Sequence, residues 1–169
     1  SMNLHRSAFG GRNFEYYSED SLLSSKMALA EVSAAVEHNI YPYIKHFAFN
    51  EQETNRNAML CTWLTDQSAR ELYLKPFEEC VKNTPSGKLA VMSSYNYIGT
   101  QWAGGCSALL QDILRGEWGY EGMVISDYFG NYGYMDADRA VRGGVSMVIF
   151  FFVFKIIFPE GEKKEDKKG

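Results

Sequence analysis

Short apolar runs that end in polar side chains recur along this chain. Gly122-Met-Val-Ile-Ser-Asp127 stops at a carboxylate. Tyr41-Pro-Tyr-Ile-Lys45-His46 stops at a cation and an imidazole, and Leu89-Ala-Val-Met-Ser-Ser-Tyr95-Asn96 stops at a phenol and an amide. Buried parallel strands have this pattern when they deliver side chains to the mouth of a barrel. Between the runs lie segments with helical spacing. Asp20 or Ser21 caps a predicted helix over about 21–38, with Leu23, Met27, Ala30 and Ala34 as its apolar stripe. A second helix is predicted over about 65–83, with Thr65 as its cap and Ala69, Leu72, Tyr73, Phe77, Cys80 and Val81 on its apolar face. Pro76 falls inside that face. An interior proline costs about 3 kcal/mol, so a kink or broken turn is predicted there.

A third helix over about 106–117 carries Leu109, Leu110, Ile113 and Leu114. A short one over about 135–142 leads to Gly143-Gly144 and a last strand from Val145. Residues 3–20 read as a loop, and the polar stretch 50–62 is long for a plain connection, which marks it as functional. Alternating helices and strands predict an α/β fold, a parallel sheet with helices outside it. Right-handed crossovers put every strand's C-terminal end on one rim. Lys45, His46, Tyr95 and Asp127 are therefore expected to converge. Lys45 and His46 are sequence neighbours, whose side chains leave a regular strand on opposite faces. Both reach one ligand only if the strand has ended or bulged.

Composition narrows the chemistry. The chain has 169 residues, 46% apolar and 22% charged, with a net charge of −4. That charge argues against a sequence-independent grip on nucleic acid. Aromatic residues reach 15%, which suits a ligand with flat apolar faces such as a sugar ring. Cys61, Cys80 and Cys106 are odd in number and lack zinc spacing. Reduced thiols and the lack of a leader sequence give a cytoplasmic expectation. His5, His38 and His46 are not spaced as zinc ligands, and neither a phosphate loop nor a Gly-x-Ser-x-Gly elbow occurs. No metal or cofactor is expected. The apolar run Val145–Phe154 is too short for a bilayer, which needs about 20 apolar residues. Residues 151–169, an apolar segment and a charged tail, are left without a role.

Six stretches appear together in order. They are Gly11-Arg12-Asn-Phe-Glu15-Tyr-Tyr-Ser-Glu19-Asp20, Ile44-Lys45-His46-Phe47-Ala48, Glu71-Leu-Tyr-Leu-Lys-Pro76-Phe77, Met92-Ser-Ser-Tyr95-Asn96, Leu114-Arg-Gly-Glu-Trp118-Gly119 and Val124-Ile-Ser-Asp127-Tyr128. With these, the chain resembles the catalytic barrel of glycoside hydrolase family 3, the β-glucosidase group, over about residues 3–148. The resemblance implies retaining hydrolysis of a β-glucoside or oligosaccharide, with Asp127 as nucleophile. It implies that Arg12, Lys45 and His46 hold sugar hydroxyls, that Tyr95 stands near the nucleophile and that Arg56 lines the cleft. Two positions depart from the family pattern: Tyr128, where tryptophan is frequent, and Ser146, where an acidic residue is usual.

A complete eight-fold barrel takes about 250 residues. Four strand candidates within residues 3–150 amount to about half of one. Retaining glycosidases also need a second carboxyl group about 5–5.5 Å from the first. Glu15 and Glu19 are not favoured as that acid, because Glu19-Asp20 reads as first-turn acidity; Glu51 and Glu53 sit closer to the expected rim, yet nothing in the sequence raises their pKa. The family's general acid comes from a separate domain. The alternative reading is a catalytically incomplete barrel segment that binds sugar weakly, its open edges covered by self-association or by complementary domains.

Overall fold

The computed structural model describes residues 1–85, 87–128 and 133–149. The apolar segment beyond Ile149 and the charged tail lie outside them. The first helix, α1, spans Ser21–Glu37, and the Asp20 carboxylate caps it by accepting from the Leu23 amide at 2.6 Å. Its buried face differs from the predicted stripe. Ser24, Ser25, Ala28 and Val32 are buried, whereas Leu23 and Met27 are 52% and 51% exposed and Ala30 and Ala34 are exposed too. Apolar residues lie on both faces of this helix, so periodicity alone does not choose between them. The small set at spacing four was selected because α1 packs closely on α3, Lys75–Asn83. Lys26 on α1 reaches Glu79 on α3 at 2.6 Å.

The predicted parallel sheet is present. β1 (Tyr43–Phe47), β3 (Ala90–Ser93) and β6 (Val124–Ile125) run parallel in the order β1-β3-β6. Beyond β6 the expected fourth strand is reduced to one parallel bridge, Ile125 with Met147, among the described residues. Ile44, Phe47, Val91 and Val124 are at most 1% exposed. The Phe47 ring meets Phe77 at 5.0 Å and Trp118 at 5.8 Å, both edge-on, so the helices seal the sheet with aromatic contacts.

A second sheet was not legible as strands. β2 (Cys61–Thr62) pairs in parallel with β4 (Tyr97–Ile98), which pairs antiparallel with β5 (Gln101–Trp102) across a turn at Gly99, φ 57°. Strands of two residues carry no alternation to detect. The break expected around Pro76 is real. The segment begins as α2, Asp66–Ser68, with Thr65 Oγ1 accepting from the Ser68 amide at 3.2 Å, and continues as a π-helical turn over Ala69–Tyr73. It restarts as α3, with Pro76 in the first turn, where its missing N–H is not needed. A π-helical segment over Ala108–Glu117 buries Leu109, Leu110 and Leu114. The last helix, α4 (Ala137–Gly143), is capped by Asp136 and ended by Gly144 at φ 115°.

The reassigned face of α1 makes a direct prediction. Ala28→Leu forces methyl groups into a position that is 0% exposed and should cost about 1–3 kcal/mol. Met27→Lys should stay within about 0.5 kcal/mol. Urea denaturation of the two variants checks this, and the reverse ranking would restore the predicted stripe.

Candidate active site

Asp127 lies two residues beyond β6, the last strand of the sheet, and β1 brings His46 to it. His46 Nε2 lies 3.5 Å from Asp127 Oδ2. Lys45 also reaches the cleft, because the register slips between Ile44 and Phe47: three steps on β1 match two on β3. An extra residue of this kind re-aims side chains, which resolves the facing problem for the Lys45-His46 pair. Asn3 holds the free edge of the bulge. Its Oδ1 accepts from the His46 amide at 2.9 Å, and its Nδ2 donates to the His46 carbonyl at 3.2 Å. The Met2 amide donates to the Lys45 carbonyl at 2.6 Å.

Charge in the cleft is paired. Arg12 binds Glu15 through its Nε, and Lys45 Nζ lies 3.5 Å from the other Glu15 oxygen. Glu53 receives Arg56 at 3.1 Å, Asn50 at 3.1 Å and the edge of Arg12 at 4.0 Å. The Arg56 guanidinium lies 4.7 Å over the Tyr95 ring, and the Tyr95 hydroxyl donates to the Tyr128 carbonyl at 2.7 Å. All six residues expected at the site therefore gather in one region: Arg12, Lys45, His46, Arg56, Tyr95 and Asp127. Glu15 and Glu53 were considered in the sequence only as proton donors. Their place is as counter-charges, signalled by an arginine three residues away in each case.

His46 is neutral. Burial, reinforced by Arg12, Lys45 and Arg56, lowers its pKa to about 2. Arg12 Nη1 sits 3.2 Å from Nε2. A guanidinium only donates, so Nε2 accepts and the ring proton is on Nδ1. The 3.5 Å approach to Asp127 is thus a polar contact and not an ion pair. Burial also raises the pKa of Asp127, opposed by the Tyr128 amide, Arg56, Arg12 and Tyr95. The Tyr128 amide donates to Oδ1 at 2.6 Å, and Oδ2 is buried with no hydrogen-bond donor among the described residues. No group of three or more metal-ligating side chains occurs among the described residues.

Residues 3–148 match the family model described as the glycosyl hydrolase family 3 N terminal domain. The chain belongs to glycosyl hydrolase family 3. It is 42% identical over 140 residues to a probable beta-glucosidase J of Neosartorya fischeri, covering 83% of this chain and 16% of that protein. It is 44% identical over 130 residues to beta-glucosidase A of Butyrivibrio fibrisolvens, covering 77% of this chain and 15% of that one. Among solved structures, beta-glucosidase 3B of Thermotoga neapolitana in complex with glucose superposes with a TM-score of 0.79 at 38% identity. That match covers 87% of this chain and 20% of the other. The family 3 chain thus spans about a sixth to a fifth of the relatives it matches.

Nothing in the sequence marks Glu51 electrically. It is 8% exposed, and burial raises its carboxyl to about 7, against the Asn3 side chain and the Leu4 amide that stabilise the anion. The folded chain keeps this proton between the ordinary value of 4.5 and about 7, where the unfolded chain has lost it. The stability it contributes is present at acid pH and is lost as pH rises through 7. Glu51→Gln should therefore compare better with the native chain at pH 8 than at pH 5.5, by about 2 kcal/mol in unfolding free energy. Urea melts of both proteins at both pH values check this, and an identical difference at the two would refute it.

Proposed function

We propose that this chain supplies the nucleophile and the sugar-binding residues of a retaining β-glucosidase site. The observation that carries the reading is Asp127 Oδ2, a buried carboxylate oxygen with no hydrogen-bond partner among the described residues, flanked by a neutral imidazole and by Arg56, Arg12 and Tyr95, which lower its pKa. With Oδ1 held by the Tyr128 amide, Oδ2 is the oxygen that attacks the anomeric carbon. The bond to the glycosidic oxygen breaks as the Asp127 ester forms. Water then hydrolyses the ester and restores the carboxylate. Arg12 and Lys45 are donors for sugar hydroxyls, fixed in place by Glu15. Arg56 and Tyr95 form the wall beside the nucleophile.

The three strands are read as an arc of a (β/α)8 barrel, about half of which lies in this chain. The exposed Leu22, Leu23 and Met27 of α1 are then a face that further barrel elements or a second copy would cover. Among the described residues no carboxyl is suited to protonate the leaving group. Arg12 and Lys45 hold Glu15 below its ordinary pKa despite partial burial, and Glu53 is occupied by Arg56 and Asn50. Glu51 holds its proton but is bonded to Asn3. The acid is therefore assigned to a group outside the described residues.

Activity on two leaving groups tests the proposal. Positioned acid catalysis is commonly worth about 10²–10⁴ in rate, and dinitrophenolate leaves without it. The 169-residue chain should release dinitrophenol slowly from a dinitrophenyl β-glucoside and should not cleave cellobiose. Asp127→Asn should abolish the slow release. Release that survives Asp127→Asn would remove Asp127 as nucleophile, and robust cellobiose cleavage would place an acid within the chain.

A further inference from the structure

Behind the cation-lined cleft is a second cavity of about 440 Å³, walled by Arg6, Phe49, Glu51, Trp63, Leu72 and Tyr73. None of the six cleft residues lines it. The two spaces share a wall, the turn and irregular segment after β1. Glu53 faces one way, to Arg56 and Arg12, while Glu51 faces the other, to Asn3 and the cavity.

We propose that this cavity binds a flat aromatic monocarboxylate, with its ring against Trp63 and its carboxylate on Arg6. Its volume falls within the range of small-molecule sites, about 300–1,000 Å³, and such sites are mainly apolar with a few placed polar groups. The inner wall is rigid: Phe49 is 6% exposed and meets Tyr73 edge-on at 6.2 Å. Trp63 is 73% exposed, an aromatic surface with nothing packed over most of it. Arg6 supplies the charge. Arg12, Arg56, Arg70 and Arg142 each hold a carboxylate. Arg6 is exposed and forms no ion pair within 4 Å among the described residues. An unneutralised guanidinium at the edge of an aromatic cavity selects a planar anion, because its fork matches a carboxylate in two bonds.

Glu51 does not oppose this ligand. Its side chain accepts from Asn3 Nδ2 at 3.3 Å, and burial keeps it protonated below about pH 7. The titratable groups around it are Arg6, Tyr16 and Tyr73.

Calorimetric titration of the whole chain with 2-naphthoate at pH 6 tests the assignment, with the neutral isostere 2-naphthamide as control. Naphthoate should bind one to one with a dissociation constant of about 1 mM or lower. The amide should bind at least about tenfold more weakly. Arg6→Gln should bring naphthoate down to the amide level, and Trp63→Ala should weaken both ligands. Both side chains are exposed, so the fold should persist, as circular dichroism would verify. Asp127→Asn should leave binding unchanged, which separates this site from the glucoside cleft whatever the fate of the catalytic proposal. Absent saturation, equal affinity for acid and amide, or loss of binding in Asp127→Asn would each overturn it.

Discussion

The cleft depends on one constraint: a carboxylate buried at a strand end must be balanced without being neutralised. Three cations, Arg12, Lys45 and Arg56, face three carboxylates, Glu15, Glu53 and Asp127. The set balances only if His46 carries no charge, and burial together with the neighbouring cations ensures that it does not. Had Arg12 or Arg56 bonded directly to Asp127 Oδ2, a strong charge-assisted pair would have occupied that oxygen. Glu15 and Glu53 draw the guanidinium groups aside. Asp127 then feels their field as a lowering influence on a pKa that burial raises. Oδ2 is left without a hydrogen-bond partner among the described residues.

Backbone geometry makes this balance possible. The bulge in β1 allows adjacent residues to serve one cleft, and Asn3 anchors the bulge by bonding both the amide and the carbonyl of His46. The turn after β1 is tied to the segment after β3 by buried polar groups. Ser94 Oγ donates to the Ala48 carbonyl at 3.0 Å, and Asn96 Nδ2 donates to the same oxygen at 3.2 Å. Trp102 Nε1 closes the arrangement on the Ser94 carbonyl at 3.0 Å. These buried donors tie the loops together, since a lost partner would leave an unpaired group in the interior. The small second sheet continues the same support, placing Thr62 Oγ1 on the Phe49 carbonyl at 3.2 Å.

Local chemistry was readable where one residue type has one physical use. Asp20 and Thr65 cap helices because short polar side chains satisfy first-turn amides. Pro76 starts a helix because it cannot continue one. Apolar runs ending in Tyr95 and Asp127 become strand ends, the run ending in Lys45-His46 becomes the bulged part of β1, and the six ordered motifs carry the family. Other features have no local signature. The buried face of α1 went to Ser24, Ser25, Ala28 and Val32 because α3 comes close on that side. Two-residue strands and π-helical turns leave no period to count.

The sequence by itself determined the α/β alternation, the family and the residues gathered around Asp127. These follow from spacing and side-chain type, which do not change on folding. The tertiary structure decided the electrostatics. Whether His46 is neutral, whether Glu15 and Glu53 act as counter-charges, and whether Glu51 keeps a proton near neutral pH are set by desolvation and by distances of 3–4 Å across elements far apart in the chain. Charge interactions change steeply with burial and separation, and neither quantity exists until the strands and helices have packed.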